Sequence, residues 1–157
     1  MTAKNGFNSL IHSDGPDTLV VESGGTIRFE SGGVLDNAGS VAGATIVVGA
    51  EDTNVRAITV QLTDASGADI ASRQAVQIAV LADANGDAFA ATGGSTGIAI
   101  GTDGALLAVV AKKLFMAISE ADGDIDLTWT DTGTEAAYLA VILPNGKMVI
   151  SAALTNT

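Results

Sequence analysis

The most regular alternation of apolar and polar residues lies near the start of the chain, where residues 19–42 read as three octads: LVVESGGT, IRFESGGV and LDNAGSVA. Leu19, Ile27 and Leu35 share the first column, and Val21, Phe29 and Asn37 the third. Each unit alternates for three or four residues and then turns at Gly-Gly or Ala-Gly-Ser, as a short strand with one buried face would. A solenoid needs about three repeats to bury a continuous core, and the third octad is degenerate. Three chains wound about a common axis would supply the missing neighbours. Two hairpins of a larger sheet would account for the same residues. On the first reading, residues 19–50 form a Gly-rich, β-helix-like trimerisation segment with Leu19, Val21, Ile27, Phe29 and Leu35 at the trimer interface.

A short strand is expected at Thr45 to Val48, and the polar stretch from Glu51 to Arg56 is read as the boundary to a second region. From Ile58 the alternation lengthens. Ile58, Val60 and Leu62 lead to a turn at Asp64 to Gly67, and Val76, Ile78 and Val80 lead to Asn85-Gly86, a strong hairpin signal. Further turns are expected at Asp103-Gly104, Asp122-Gly123 and Pro144-Asn145-Gly146. The arms of the Asp122-Gly123 hairpin would carry Leu114, Met116 and Ile118 on one side and Ile125, Leu127 and Trp129 on the other. ALLAVVAKKLFMAIS has a helical reading, but its flanking Asp-Gly pairs and its Val and Ile content favour strand. About seven strands over residues 57–157 predict an antiparallel β-sandwich, so the chain as a whole is read as all-β.

Composition narrows the function classes. The 157 residues carry 18 acids against 7 bases, a net charge of −11. Seven acids and three bases fall in residues 1–56, and eleven and four in the remainder. Such a surface repels phosphate, so nucleic acid is not an expected partner. There is no cysteine, which removes disulfides and thiolate chemistry. No signal-peptide pattern or membrane-length apolar run is evident, so a soluble chain made in a cytoplasm, with no membrane partner, is expected.

Candidate chemistry is sparse. Gly93 to Gly97, GGSTG, has the letters of a hydrolase nucleophile elbow, but the sole histidine, His12, lies upstream of Ser95 and no helix is expected after it, so a flexible loop is the better reading. Asp83 to Asp87 and Glu120 to Asp126 look like small calcium loops. They lack the flanking helices and the distal bidentate Glu of that site, and read as hairpin turns. Lys112-Lys113 is too small a basic patch to engage nucleic acid. Trp129 and Tyr138 are assigned to the core. No enzyme activity, metal or cofactor is expected.

ITVQLTDASGADIASRQAVQIAVL resembles the opening strands of bacterial and phage immunoglobulin-like domains. IAIGTDG, ISEADGDIDLTWTDTG and YLAVILPNGKMVIS resemble a module of tailed-phage structural proteins, the similarity covering about residues 57–155. The ESGG octads resemble the short β-helical stalks of phage fibres and decoration proteins. The resemblance implies a virion protein. The expectation drawn from it is a capsid decoration (cement) protein: a non-catalytic homotrimer, assembled in the host cytoplasm, that binds the major capsid protein at the head surface. A tail-fibre or receptor-binding component is the alternative. Residues 1–18 are read as an extended arm without a hairpin partner, whose Phe7, Leu10, Ile11 and His12 hold the capsid by adding to a sheet edge. The sandwich, with its apolar faces buried and its turns rich in Asp, is expected to offer the shell little.

Overall fold

The computed structural model describes residues 11–13, 19–21 and 40–157. The chain divides into two compact units, Met1–Asp36 and Asn37–Thr157. In the first, β1 (Ile11–Ser13) pairs antiparallel with β2 (Leu19–Val21), Ile11 opposite Val21 and Ser13 opposite Leu19. The arm therefore has a hairpin partner in β2. The expected division between residues 18 and 19 falls inside that hairpin.

The second unit contains β3 (Gly43–Asp52), β4 (Val55–Thr63), β5 (Ala75–Leu81), β6 (Gly97–Ile100), β7 (Ala105–Val110), β8 (Leu114–Ile118), β9 (Asp124–Thr130), β10 (Tyr138–Ile142) and β11 (Met148–Ala153). Antiparallel pairing builds a four-stranded sheet, β3-β4-β9-β6, and a five-stranded sheet, β11-β10-β5-β8-β7. Their inner faces share one core, with Ile58, Val60 and Leu62 from β4 and Ile125, Leu127 and Trp129 from β9 meeting Val76, Ile78 and Val80 from β5 and Leu139 and Val141 from β10. This is the two-layer arrangement of a β-sandwich, without helix among the described residues.

Residues 51–56, expected as a boundary, instead form the closed end of the β3–β4 hairpin, with its turn at Thr53-Asn54. Thr53 and Asn54 take positive φ there, and Glu51 pairs with Arg56. Arg56 continues the inward phase of Ile58, Val60 and Leu62 to the mouth of the sandwich. Its guanidinium donates to Gly49 O at 3.1 Å, Thr155 O at 2.6 Å and Asn156 Oδ1 at 3.1 Å. Asn156, itself buried, donates to Asn54 O and Asp131 O. The last residues are thereby stitched to the first strands of the unit.

Two expected hairpins are something else. β8 and β9 lie in different sheets, so Asp122-Gly123 is a crossing between layers. Gly123 holds φ +82°, and a Cβ there would come within 2.5 Å of Ile70 O. Asn85-Gly86 also ends in a crossing. The chain folds back just far enough for Ala90 N to donate to Val80 O at 3.0 Å, and then passes to β6 in the other sheet. The turn at Asp64 to Gly67 does the same, with Ile70 N donating to Leu62 O at 3.0 Å before β5. Pro144 to Gly146 does join a true hairpin, β10 to β11, and β7–β8 is another.

A candidate interaction face

In β5, the alternation that sends Val76, Ile78 and Val80 into the core sends Ala75, Gln77, Ala79 and Leu81 to the opposite side. Pairing extends that side across the sheet. Met148, Ile142, Gln77, Met116 and Leu107 form one row, and Ile150, Ala140, Ala79, Leu114 and Val110 the next. Tyr138 and Leu81 extend the face at one end, Ile118 and Ala105 at the other. The five strands place no acidic or basic residue on it. The outer face of the four-stranded sheet is the opposite, carrying Thr45, Thr59, Gln61, Asp124, Asp126 and Thr128. An antiparallel sheet that covers a core on one side ordinarily turns polar residues to water on the other. Here only the four-stranded sheet does so.

The apolar face is shaped. Ala79 and Ala140 form a buried floor, with Leu114, Tyr138, Ile142 and Ile150 packed around it. Depressions of about 170, 320 and 200 Å³ open beside Phe89 and Leu81, beside Gln77 and Pro144, and between Leu107 and Ile118. Leu107 is 69% exposed and Ile118 45%. Leu114, Met116 and Ile118, expected on one arm of an Asp122-Gly123 hairpin, belong to this outer face, while Phe115 and Ala117 fill the core. Tyr138 is likewise half-buried on the outer face, whereas Trp129 is fully buried as expected. The sandwich thus has a large unpartnered apolar surface, contrary to the sequence expectation. Contiguous patches of this kind on soluble proteins mark interaction sites.

The polar features hold the fold. The Gly93–Gly97 loop is pinned rather than free. Glu135 accepts from Thr92 N at 2.8 Å, Thr92 Oγ1 at 2.6 Å and Gly94 N at 2.9 Å. Ser95 N donates to Asp131 Oδ1, Ser95 Oγ accepts from Thr132 N, and Lys112 Nζ donates to Gly94 O and Ser95 O. Burial pushes the Glu135 carboxyl up, but the hydrogen bonds from Thr92 and Gly94 outweigh it and leave the group below its ordinary range. Gly94 has φ +80°, and a Cβ on it would lie 2.7 Å from the Trp129 ring. Ser95 is thus tied to Asp131 and Thr132 through its N–H and its hydroxyl oxygen.

Asp83 and Asp122 cap their own turns, accepting from Asn85 N and Gly86 N and from Asp124 N. Asp124 and Asp126 of the second suspected calcium loop approach Asp103, their oxygens within 4.8 Å of one another. The cluster lies across the β6–β7 turn and β9, a juxtaposition that spacing alone does not reveal. Burial, then the charge of Asp126, holds the Asp124 carboxyl above its ordinary range, and Asp124 Oδ1 is buried without a hydrogen-bond partner. A concavity of about 600 Å³ between Thr63–Gly67 and Lys147–Ile150 contains Asp64, but that carboxylate already accepts from Ser66 and Ala68.

Of the residues assigned to capsid binding and the trimer interface, Phe7, Leu10, Ile27, Phe29 and Leu35 lie outside the described residues. Ile11, His12, Leu19 and Val21 are placed by backbone on the β1–β2 hairpin, where His12 faces Val20 and Ile11 faces Val21. The two assignments therefore meet on one hairpin. No protein-family model matches this chain, and neither does any curated protein or solved structure.

Proposed function

We propose that this chain is a non-catalytic structural protein of a tailed-phage virion: a capsid decoration protein that assembles as a trimer in the host cytoplasm, binds the major capsid protein at the head surface and stabilises the shell. The observation that supports a role in assembly is the outer face of the five-stranded sheet, whose strands carry no charged residue, while the shell and trimer contacts are assigned from the sequence. The phage assignment rests on the sequence resemblance. The strand orders support its immunoglobulin-like part: β3-β4-β9-β6 corresponds to A-B-E-D and β11-β10-β5 to G-F-C, with the β7–β8 hairpin added beyond C. The buried tryptophan sits on the E-equivalent β9 instead of on C, so the core differs in detail from antibody domains.

The mechanism is multivalency. A trimer seated where capsid subunits meet engages several at once, and weak single contacts sum to a durable clamp. Phe7, Leu10, Ile11 and His12 are the proposed shell contacts, and Leu19, Val21, Ile27, Phe29 and Leu35 the proposed trimer contacts. Co-sedimentation with empty capsids tests the reading. The full chain should pellet with the shells and raise the temperature at which particles release DNA, and deletion of residues 2–14 should abolish pelleting. Failure of the full chain to bind shells refutes the decoration assignment.

A further inference from the structure

We propose that the outer face of the five-stranded sheet is covered by a second copy of this chain, the two sheets packing face to face about a two-fold axis. The inference goes beyond the decoration reading and does not depend on it.

Charge selects the occupant. Residues 40–157 carry thirteen acids and five bases, so two copies repel each other through most of their surface. A two-fold interface brings a patch against itself, and a patch of one sign cannot be complementary to itself. The sheet face, on which the strands place no acidic or basic residue, escapes that penalty. With Asp87 at one margin as the charge lining its depressions, the face also offers little by which a charged partner would be steered or selected.

Shape and size agree. Twisted antiparallel sheets stack about 10 Å apart when small floors receive larger side chains. Here the Ala79–Ala140 floor lies beside the row bearing Leu107, Met116 and Met148, so a copy turned by a half-rotation presents its ridge to the partner's groove. Five strands about 4.8 Å apart and four rows about 6.8 Å apart, less their missing corners, project roughly 500 Å². Side-chain relief brings this towards the ~800 Å² per partner of a standard interface. The edge strand continues the face. β7, Ala-Leu-Leu-Ala-Val-Val, contains none of the Lys or Pro residues that usually blunt an exposed edge, and a register shift between Ala108 and Val110 is its sole irregularity in pairing.

Sedimentation velocity on the full chain from about 1 to 200 µM, the range in which an interface of this size should titrate, tests the proposal. Leu107→Lys and Ile118→Lys each place an unpaired charge in the face and should weaken pairing by about tenfold or more. Both positions are exposed, so circular dichroism and melting temperature should match wild type. The expected result is a wild-type mass twice that of either lysine variant in the upper part of the range. Val47→Lys, on the outer face of the other sheet, should behave as wild type, and an equal mixture of Leu107→Lys and Leu107→Glu chains should regain paired mass. The proposal is overturned if wild type and Leu107→Lys have the same mass at every concentration, or if Val47→Lys lowers the mass as far as Leu107→Lys does. If Leu107→Lys leaves the mass unchanged but loses empty capsids, the shell occupies the face. That result overturns the pairing and leaves the decoration reading standing.

Discussion

Replacing Trp129 separates what its ring contributes from what its polar edge contributes. The side chain is fully buried in β9, between Arg56 of β4 and Ile98 of β6. Its Nε1–H has no hydrogen-bond partner. Truncation to alanine removes the whole ring from a packed site and should cost about 3–5 kcal/mol. A domain of this size is stable by about 5–15 kcal/mol in total, so Trp129→Ala should shift the unfolding midpoint far towards zero denaturant. Phenylalanine keeps one ring in place and loses some packing. It also removes a buried unsatisfied donor, whose burial costs about 1–3 kcal/mol. The two effects oppose, and Trp129→Phe should lie within about 1.5 kcal/mol of wild type. Urea titration followed by far-ultraviolet circular dichroism measures both variants, since fluorescence disappears with the sole tryptophan. A phenylalanine variant as unstable as the alanine variant would refute the reasoning and show that the native indole N–H makes a bond the fold requires.

Three further outcomes are expected. Arg56→Lys should lose about 2–3 kcal/mol in the same titration, because an ammonium cannot reach Gly49 O, Thr155 O and Asn156 Oδ1 from one planar group. For Asp124, the native state holds the proton more tightly than the unfolded chain, so its ionised form weakens the fold at neutral pH. That weakening lifts as pH falls through the raised value. Asp124→Asn should therefore melt higher than wild type at pH 7, with the difference vanishing in acid. Glu135 has the opposite sign: its stabilisation is full above the unfolded glutamate value and is lost as pH falls through the lowered native one. Glu135→Gln should melt below wild type at pH 7, and thermal scans across the acid range should show the two curves converging.

The strands of the sandwich were legible wherever one face is apolar and the other polar. β4 and β9 alternate cleanly, and their inward residues are those read from the pattern. β8 reads Leu-Phe-Met-Ala-Ile, apolar at every position, so period two leaves its phase undetermined. Which of its two faces turns inward depends on β5 and β7 beside it. That ambiguity hid the interaction face, because a sheet with two apolar sides looks in sequence like a sheet that is simply buried. Turns were legible as turns but not as connections. Asp122-Gly123 has the same local chemistry whether the next strand lies alongside or in the opposite layer, and only the pairing of β9 with β4 decides it. The Asp103–Asp124–Asp126 approach and the Arg56 clasp were out of reach for a related reason, since each joins residues distant in sequence through sheet topology.

The clasp also sets the order in which the sandwich can be finished. Arg56 meets Asn156 across 100 residues of chain, and Leu154, fully buried, closes the same end of the core. On a ribosome, the first hairpin emerges long before the strand and tail that complete it. Non-local closure of this kind is slow, and it leaves intermediate chains exposed in the meantime. During that interval the β7–β8 hairpin, whose strands carry no charged residue, stands open on both sides. The surface suited to pairing in the finished protein is thus also the segment most prone to premature association during synthesis, and the rate at which residues 138–156 dock governs how long that hazard lasts.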